Sequence, residues 1–252
     1  MGRHLTAVGV HTVLEPLDTS SLSTQVYKRL RTALMRAEFK PDQRLKIREL
    51  ATAMGTSETP VREAIFQLAR EGAIEIKPRY FVRVSRLSLA GYLEIRDIRL
   101  SLEPLAAERA LPHITDEDID ALAAVHTRLI AAEHAQDAPT ALQTNFEFHF
   151  GLYLRSEMPN LIGVLESLWI RIGPFLSDLY PNATPAYHDR HQHENVVEAL
   201  RKGDAYRLRE AIREDILEGG RNLVRYVEER ERAAQKREGK ATAQGRRFPT
   251  TA

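Results

Sequence analysis

The chain contains no cysteine. This excludes disulfides, thiolate-bound metals and cysteine nucleophiles, and it suits a reducing compartment, of which the cytoplasm is the simplest. Long apolar runs are also missing. No stretch approaches the ~20 residues that a membrane helix requires, and the opening "MGRHLTAVGVHTVLEP" lacks the continuous apolar core of a secretion signal. A soluble protein with no membrane partner is expected. Strong net charge is absent too, since 36 Lys and Arg face 35 Asp and Glu.

That balance hides a division. Residues 1–88 hold 15 Lys and Arg against 9 Asp and Glu, whereas the remainder holds 21 against 26. A small basic part joined to a larger acidic one points to a polyanion as the partner of the first and to a different task for the second. With 252 residues, 43% of them apolar, two domains are the default expectation.

In the basic part, "LSTQVYKRLRTALMRA" (22–37) spaces Leu22, Val26, Leu30 and Leu34 along one helical face. "FKPDQRL" then reads as a turn, and "KIRELATAM" as a second short helix ending at Gly55. "TSETPVREAIFQLAREG" (56–72) reads as a third, with Ser57 as N-cap, Thr59-Pro60 in the first turn, and Val61, Ile65, Leu68 and Ala69 as its buried stripe. "AIEIKPRYFVRVS" alternates as two strands around Lys77-Pro78-Arg79. Three helices and a hairpin make a winged helix-turn-helix. From Leu87 onward about six helices follow, and after about Lys236 the tail is expected to fray. The fold class is therefore mainly α, an N-terminal winged helix-turn-helix plus a C-terminal all-helical bundle. The expected boundaries are a flexible segment at 1–19, the winged helix at 20–86, an all-helical effector-binding and dimerisation domain at 87–234, and a disordered basic tail at 235–252.

A helix enters the major groove of DNA when its leading turn is exposed and carries short polar or arginine side chains. Ser57, Thr59 and Arg62 satisfy that, Arg48 on helix two offers a backbone contact, and Lys77 and Arg79 would serve the wing. Taken locally, the same residues also fit a helix cap and a solvated arginine. Beyond the local pattern, "VYKRLRTALMRAEFKPDQRLKIRELATAMGTSETPVREAIFQLAREGAIEI" resembles the DNA-binding domain of the GntR family of bacterial transcription regulators. Its signature L-A-x-x-x-G-x-S-x-T-P-V-R-E-A-x-x-x-L-x-x-E-G runs through residues 50–72 nearly intact. The resemblance implies DNA contacts from Arg48, Ser57, Thr59 and Arg62. Three positions depart from the family pattern: Glu58 where arginine is frequent, Asp42 where the turn usually has glycine, and Tyr80 near the usual wing glycine.

The acidic part places several polar side chains on faces that the apolar period assigns to the core. Asn145 and His149 lie one turn apart in "NFEFH", His193 leads Val196 and Leu200, and Asp215 follows Leu208 and Ile212. Buried groups of this kind need partners. Four converging N and O donors suit a divalent cation such as zinc or nickel, and they equally suit a hydrogen-bonded cluster without metal. His188 and His191 read as solvated residues near a helix start.

"EIRDIRLSLEPLAAERA", "NFEFHFGLYLRS" and "HENVVEALRKGDAYRLREAIRED" resemble the FCD ligand-binding domain of the FadR branch of the same family. In many members an Asp and a His one turn apart and two later His hold a metal, which implies Asn145, His149, His193 and Asp215 as the ligands here. The first ligand has changed from Asp to Asn and the last from His to Asp, so one carboxylate remains either way. The resemblance also places Arg99 in the effector cavity, suited to a small carboxylate, with Arg155 and Arg171 as weaker candidates. It implies a homodimeric regulator, usually a repressor, on two-fold operator DNA. Two rivals remain: a metal-dependent hydrolase using His149, His193 and Asp215, and a helical interaction protein with an incidental basic end. Glu147 points off the ligand face and no GxSxG occurs, which weighs against the hydrolase.

Overall fold

A computed structural model describes residues 22–77 and 81–245, the side chains of 237–245 excepted. The expected segment 1–19, together with Arg79 and Tyr80, lies outside the described residues.

The basic part comprises α1 (Leu22–Met35), α2 (Ile47–Ala53), α3 (Glu58–Arg70), β1 (Ile74–Lys77) and β2 (Phe81–Val84). α1 buries Val26, Leu30 and Leu34 at the expected spacing, but Leu22 is exposed beside an open groove with Ala53 and Met54. Gly55, with φ +64°, makes the turn between α2 and α3, a conformation glycine adopts without steric cost. Asp42 also takes a left-handed φ, +63°, which explains how it replaces a turn glycine. Asp tolerates that region better than most residues, and ion pairs to Arg83 and Arg86 hold it there. β1 and β2 pair antiparallel, Ile74 opposite Val84 and Lys77 opposite Phe81, and a single bridge adds Arg44 to Arg83.

The helical part comprises α4 (Leu89–Ala110), α5 (Asp116–His134), α6 (Ala138–Tyr153), α7 (Pro159–Leu176), α8 (Gln192–Lys202), α9 (Ala205–Gly219) and α10 (Arg221–Gly245). Thr115 starts α5 with a reciprocal capping box to Asp118, and Asp137 and Asp204 cap α6 and α9. α4 packs on α9, α7 and α6, while α5 packs on α6 and α8. The sequence reads as one helix over 204–235 and another over 186–203, and three boundaries differ from that reading. The last helix is broken between Gly219 and Arg221, where two adjacent glycines weaken helical continuity. Its second half, α10, continues to Gly245 instead of ending at 234. α8 starts at Gln192, and residues 186–191 are irregular.

One apolar cluster runs from Leu30, Leu34, Ile65 and Leu68 of the winged helix to Trp169, Ile172 and Phe175 of α7. The approach is close because Gly173 has no side chain: a Cβ there would lie 2.0 Å from the Leu34 carbonyl oxygen. Arg31 on α1 pairs with Glu166 on α7 across the same contact.

Candidate functional site

The leading turn of α3 stands in solvent. Pro60, Val61, Ala64, Ile65 and Leu68 turn inward, while Ser57, Thr59 and Arg62 are exposed. Ser57 occupies the N-cap position, yet its side chain makes no capping hydrogen bond. Arg62 Nη2 donates to Glu58 Oε2 at 2.7 Å, with the two side chains 56% and 43% exposed. An exposed pair of this kind contributes only ~0–1 kcal/mol, so a DNA phosphate can displace Glu58. Arg48 on α2 and Lys77 at the end of β1 are exposed on the same small domain.

The helical part holds a small cavity of about 50 Å³, room for a few waters. Its wall includes Arg99 from α4, Asn145 and His149 from α6, Tyr187 and His191 from the segment before α8, and Asp215 from α9. His149 Nε2 lies 3.3 Å from Asp215 Oδ2, and His193 Nε2 lies 3.7 Å from Asp215 Oδ1. These three residues are buried, and one donor atom from each lies within 4.8 Å of the others. Burial pulls His193 well below the usual imidazole range. Burial alone would raise Asp215, but the facing imidazoles keep its carboxyl well below the usual carboxylate range.

A buried network fixes the imidazole of His149. Tyr153 donates its hydroxyl proton to Glu103 Oε2 at 2.8 Å, and the same hydroxyl oxygen lies 3.0 Å from His149 Nδ1. A phenol has one proton. Nδ1 must therefore be the donor in that second bond, which leaves Nε2 turned toward the Asp215 carboxylate. Two electron-rich atoms 3.3 Å apart require a positive species between them, either a proton on Nε2 or a cation. Among the described residues, neither ring nitrogen of the buried His193 has a hydrogen-bond partner. Tetrahedral ligands ~2.0–2.1 Å from zinc are themselves about 3.3 Å apart. The His149, His193 and Asp215 donors thus fit a divalent cation. Asn145 joins them on the cavity wall, half-buried.

Arg99 sits in that wall, but its guanidinium is already engaged. Nε donates to Glu103 Oε1 at 2.6 Å and Nη2 to Glu103 Oε2 at 3.2 Å, and Trp169 Nε1 donates to Glu103 Oε1 at 2.7 Å. Burial would lower the Arg99 pKa, but the Glu103 charge more than offsets this. The weaker candidates lie elsewhere: Arg155 pairs with Asp118 and Arg171 lies near Gly72. Glu147 binds Arg128 and Gln143, away from the cluster. His191 corrects the sequence reading. It is buried, because its Nδ1 accepts from the His193 amide at the start of α8 and its ring packs 4.2 Å from that of Tyr187, whereas His188 is exposed. Sequence reasoning also passed over Glu103, Tyr153 and Trp169, since a helical Glu one turn from an Arg reads as a surface pair. His126 was passed over too, although its place between Leu122 and Leu129 on the buried face of α5 is a signal that could have found it.

Comparisons with known proteins agree with this architecture. Residues 22–84 match the family described as bacterial regulatory proteins, gntR family, and residues 94–218 match the FCD domain. The HTH-type transcriptional regulator McbR of Escherichia coli is 32% identical over 196 residues, covering 77% of this chain and 89% of that protein. The HTH-type transcriptional repressor RspR of the same organism is 26% identical over 210 residues, covering 83% and 91%. The solved structure of E. coli McbR/YncC superposes with a TM-score of 0.74 at 31% identity, covering 82% of this chain and 99% of that one. These relatives are named transcriptional regulators, which sets aside the hydrolase alternative. The chain belongs to the GntR family of transcription regulators, with a winged helix-turn-helix followed by an FCD domain.

Proposed function

We propose that the chain is a homodimeric cytoplasmic repressor whose operator binding is released by a small carboxylate held in the helical domain beside a divalent ion. The observation that carries this reading is the cavity: Asn145, His149 and Asp215 line it, and the cluster places a carboxylate opposite two imidazoles, of which His193 has both ring nitrogens without a hydrogen-bond partner among the described residues. Zinc, nickel or a similar ion would be held by His149, His193 and Asp215, with Asn145 as a weaker oxygen ligand. Bound there, it would supply a positive charge for an acid's oxygen. Tyr153 holds His149 in the tautomer that frees Nε2, a positioning role common behind metal-bound histidines.

On the DNA side, Ser57, Thr59 and Arg62 would meet the major groove, Arg48 the phosphates, and Lys77 and Arg79 the wing contact. One winged helix reads few base pairs, so two-fold pairing on a palindromic operator supplies specificity. Repression is the activity for which RspR is named. Arg99 serves the effector indirectly. Breaking its buried pair with Glu103 to grasp an acid would cost several kcal/mol, so Arg99 holds Glu103, and Glu103 holds Tyr153 and Trp169. Trp169 lies on α7, whose Gly173 touches α1. An effector that shifts this network would move α1 and the paired heads, with a coupling of about 1–3 kcal/mol.

The test is fluorescence anisotropy of the full chain on its own upstream DNA, across salt concentration, with and without zinc and a panel of small carboxylic acids. Expected are a steep salt dependence, loss of sequence-specific affinity in Arg62→Ala, and release by at least one acid only when metal is present. Release that is indifferent to EDTA would refute the metal's part, and no acid response would refute the effector class.

A further inference from the structure

His193 also belongs to a second cluster, on residues that the family pattern does not place at its metal. His126 on α5, His191 ahead of α8 and His193 on α8 each bring one ring nitrogen within 4.8 Å of the other two. Their ring centroids are 4.8 Å apart for His126 and His191, 4.4 Å for His191 and His193, and 5.5 Å for His126 and His193. We propose that these three imidazoles form a second divalent-cation site, which shares His193 with the Asp215 cluster, so that the two sets compete for one ligand.

Two observations carry it. First, among the described residues the donors lack partners: both ring nitrogens of His193 and Nδ1 of His126 are buried without a hydrogen bond, an arrangement that costs free energy unless something else occupies them. His191 Nδ1 accepts from the His193 amide, so Nε2 is its remaining donor. Second, an ion has a way in. His126 lines a surface groove with Thr127, Arg190 and Glu194, and Glu194 Oε1 lies 3.8 Å from His126 Nε2, where its charge would offset part of the ion's.

Three imidazole nitrogens favour zinc, nickel or copper over magnesium or calcium, which prefer oxygen. Tetrahedral binding requires nitrogens about 3.3 Å apart, and His126, at the edge of the groove, has room to adjust to that spacing. The consequence is exclusive occupancy. An ion held by His126, His191 and His193 withdraws His193 from His149 and Asp215, while an ion on the Asp215 side releases His126 and His191. The inference stands apart from the effector reading, since it requires only that the full chain bind a transition ion.

The experiment titrates the EDTA-stripped full chain with Zn²⁺ by isothermal calorimetry in an Asp215→Asn background, which removes the anionic ligand of the first set. Expected is that Asp215→Asn still binds Zn²⁺, and that adding either His126→Gln or His191→Gln weakens this residual binding at least tenfold. Melting in EDTA checks that each chain is folded, and the two histidine variants report independently. If Asp215→Asn takes up no Zn²⁺, or if its affinity is the same with and without His126 and His191, the second site does not exist.

Discussion

Two Arg–Glu pairs at the same helical spacing, one in each half, stand in opposite surroundings. Glu58 and Arg62 on α3 are 43% and 56% exposed, whereas Glu103 and Arg99 on α4 are 0% and 6% exposed. The chemistry is the same and the consequences are opposite. In water the pair contributes ~0–1 kcal/mol and its arginine can exchange carboxylate for phosphate. In the interior each charge depends on the other, and removing one strands its partner at a cost of ~3–5 kcal/mol. The winged helix keeps its charges available for a partner; the helical domain spends its charges holding Tyr153 and Trp169 in place.

The largest expected effect tests the buried pair. Arg99→Ala leaves Glu103 fully buried and short of two donors, and should lower unfolding free energy by ~3–5 kcal/mol in urea titration. Arg62→Ala should change it by less than ~0.5 kcal/mol. Equal losses from the two would erase the distinction.

Next comes the junction between the halves. Gly173→Ala puts a methyl 2.0 Å from the Leu34 carbonyl oxygen, so α7 and α1 must separate. Such overpacking costs ~1–3 kcal/mol. The same variant should blunt the response of operator binding to an effector while leaving affinity for a single DNA half-site unchanged, which anisotropy would show.

How far these features were legible in the sequence depends on distance along the chain. Val61, Ile65 and Leu68 are buried as their period dictates, and the inward faces of His149, His193 and Asp215 follow from the same reasoning. Periodicity fails at Leu22, where the open groove leaves nothing to pack on. It also fails at His191, which lies outside a helix and is buried by a local bond to the His193 amide. The convergence of α6, α8 and α9 on one point is a tertiary fact that spacing does not contain. Glu103 was hidden for a related reason: its donors, Tyr153 and Trp169, are 50 and 66 residues away.

Acidification separates the halves more gently. Burial lowers the imidazoles of His126, His191 and His193, so below their ordinary pKa of about 6.5 the unfolded chain takes up protons that the folded chain refuses. Stability is therefore present above that value and is lost as pH falls, for His191 down to about 4. Each such histidine contributes a slope of up to ~1.4 kcal/mol per pH unit. In EDTA, the melting temperature should drop between pH 7 and pH 5. His191→Gln should flatten that slope, and a slope unchanged by the substitution would show that His191 is not held neutral by the fold.

The smallest effect is the most informative about the exposed pair. Glu58, which departs from the pattern of the family resemblance, binds Arg62 Nη2 at 2.7 Å. Glu58→Gln removes a weak surface interaction, so unfolding free energy should move by no more than ~0.5 kcal/mol. DNA affinity should respond more. The substitution frees Arg62 for phosphate or guanine and removes a negative charge from the face proposed to meet the duplex. Binding to operator and to unrelated DNA should both tighten, with the specificity ratio lower than in the wild type. If affinity instead falls for the operator alone, Glu58 is reading a base, as a carboxylate accepting from a cytosine amino group would, and the exposed pair is then part of the recognition code.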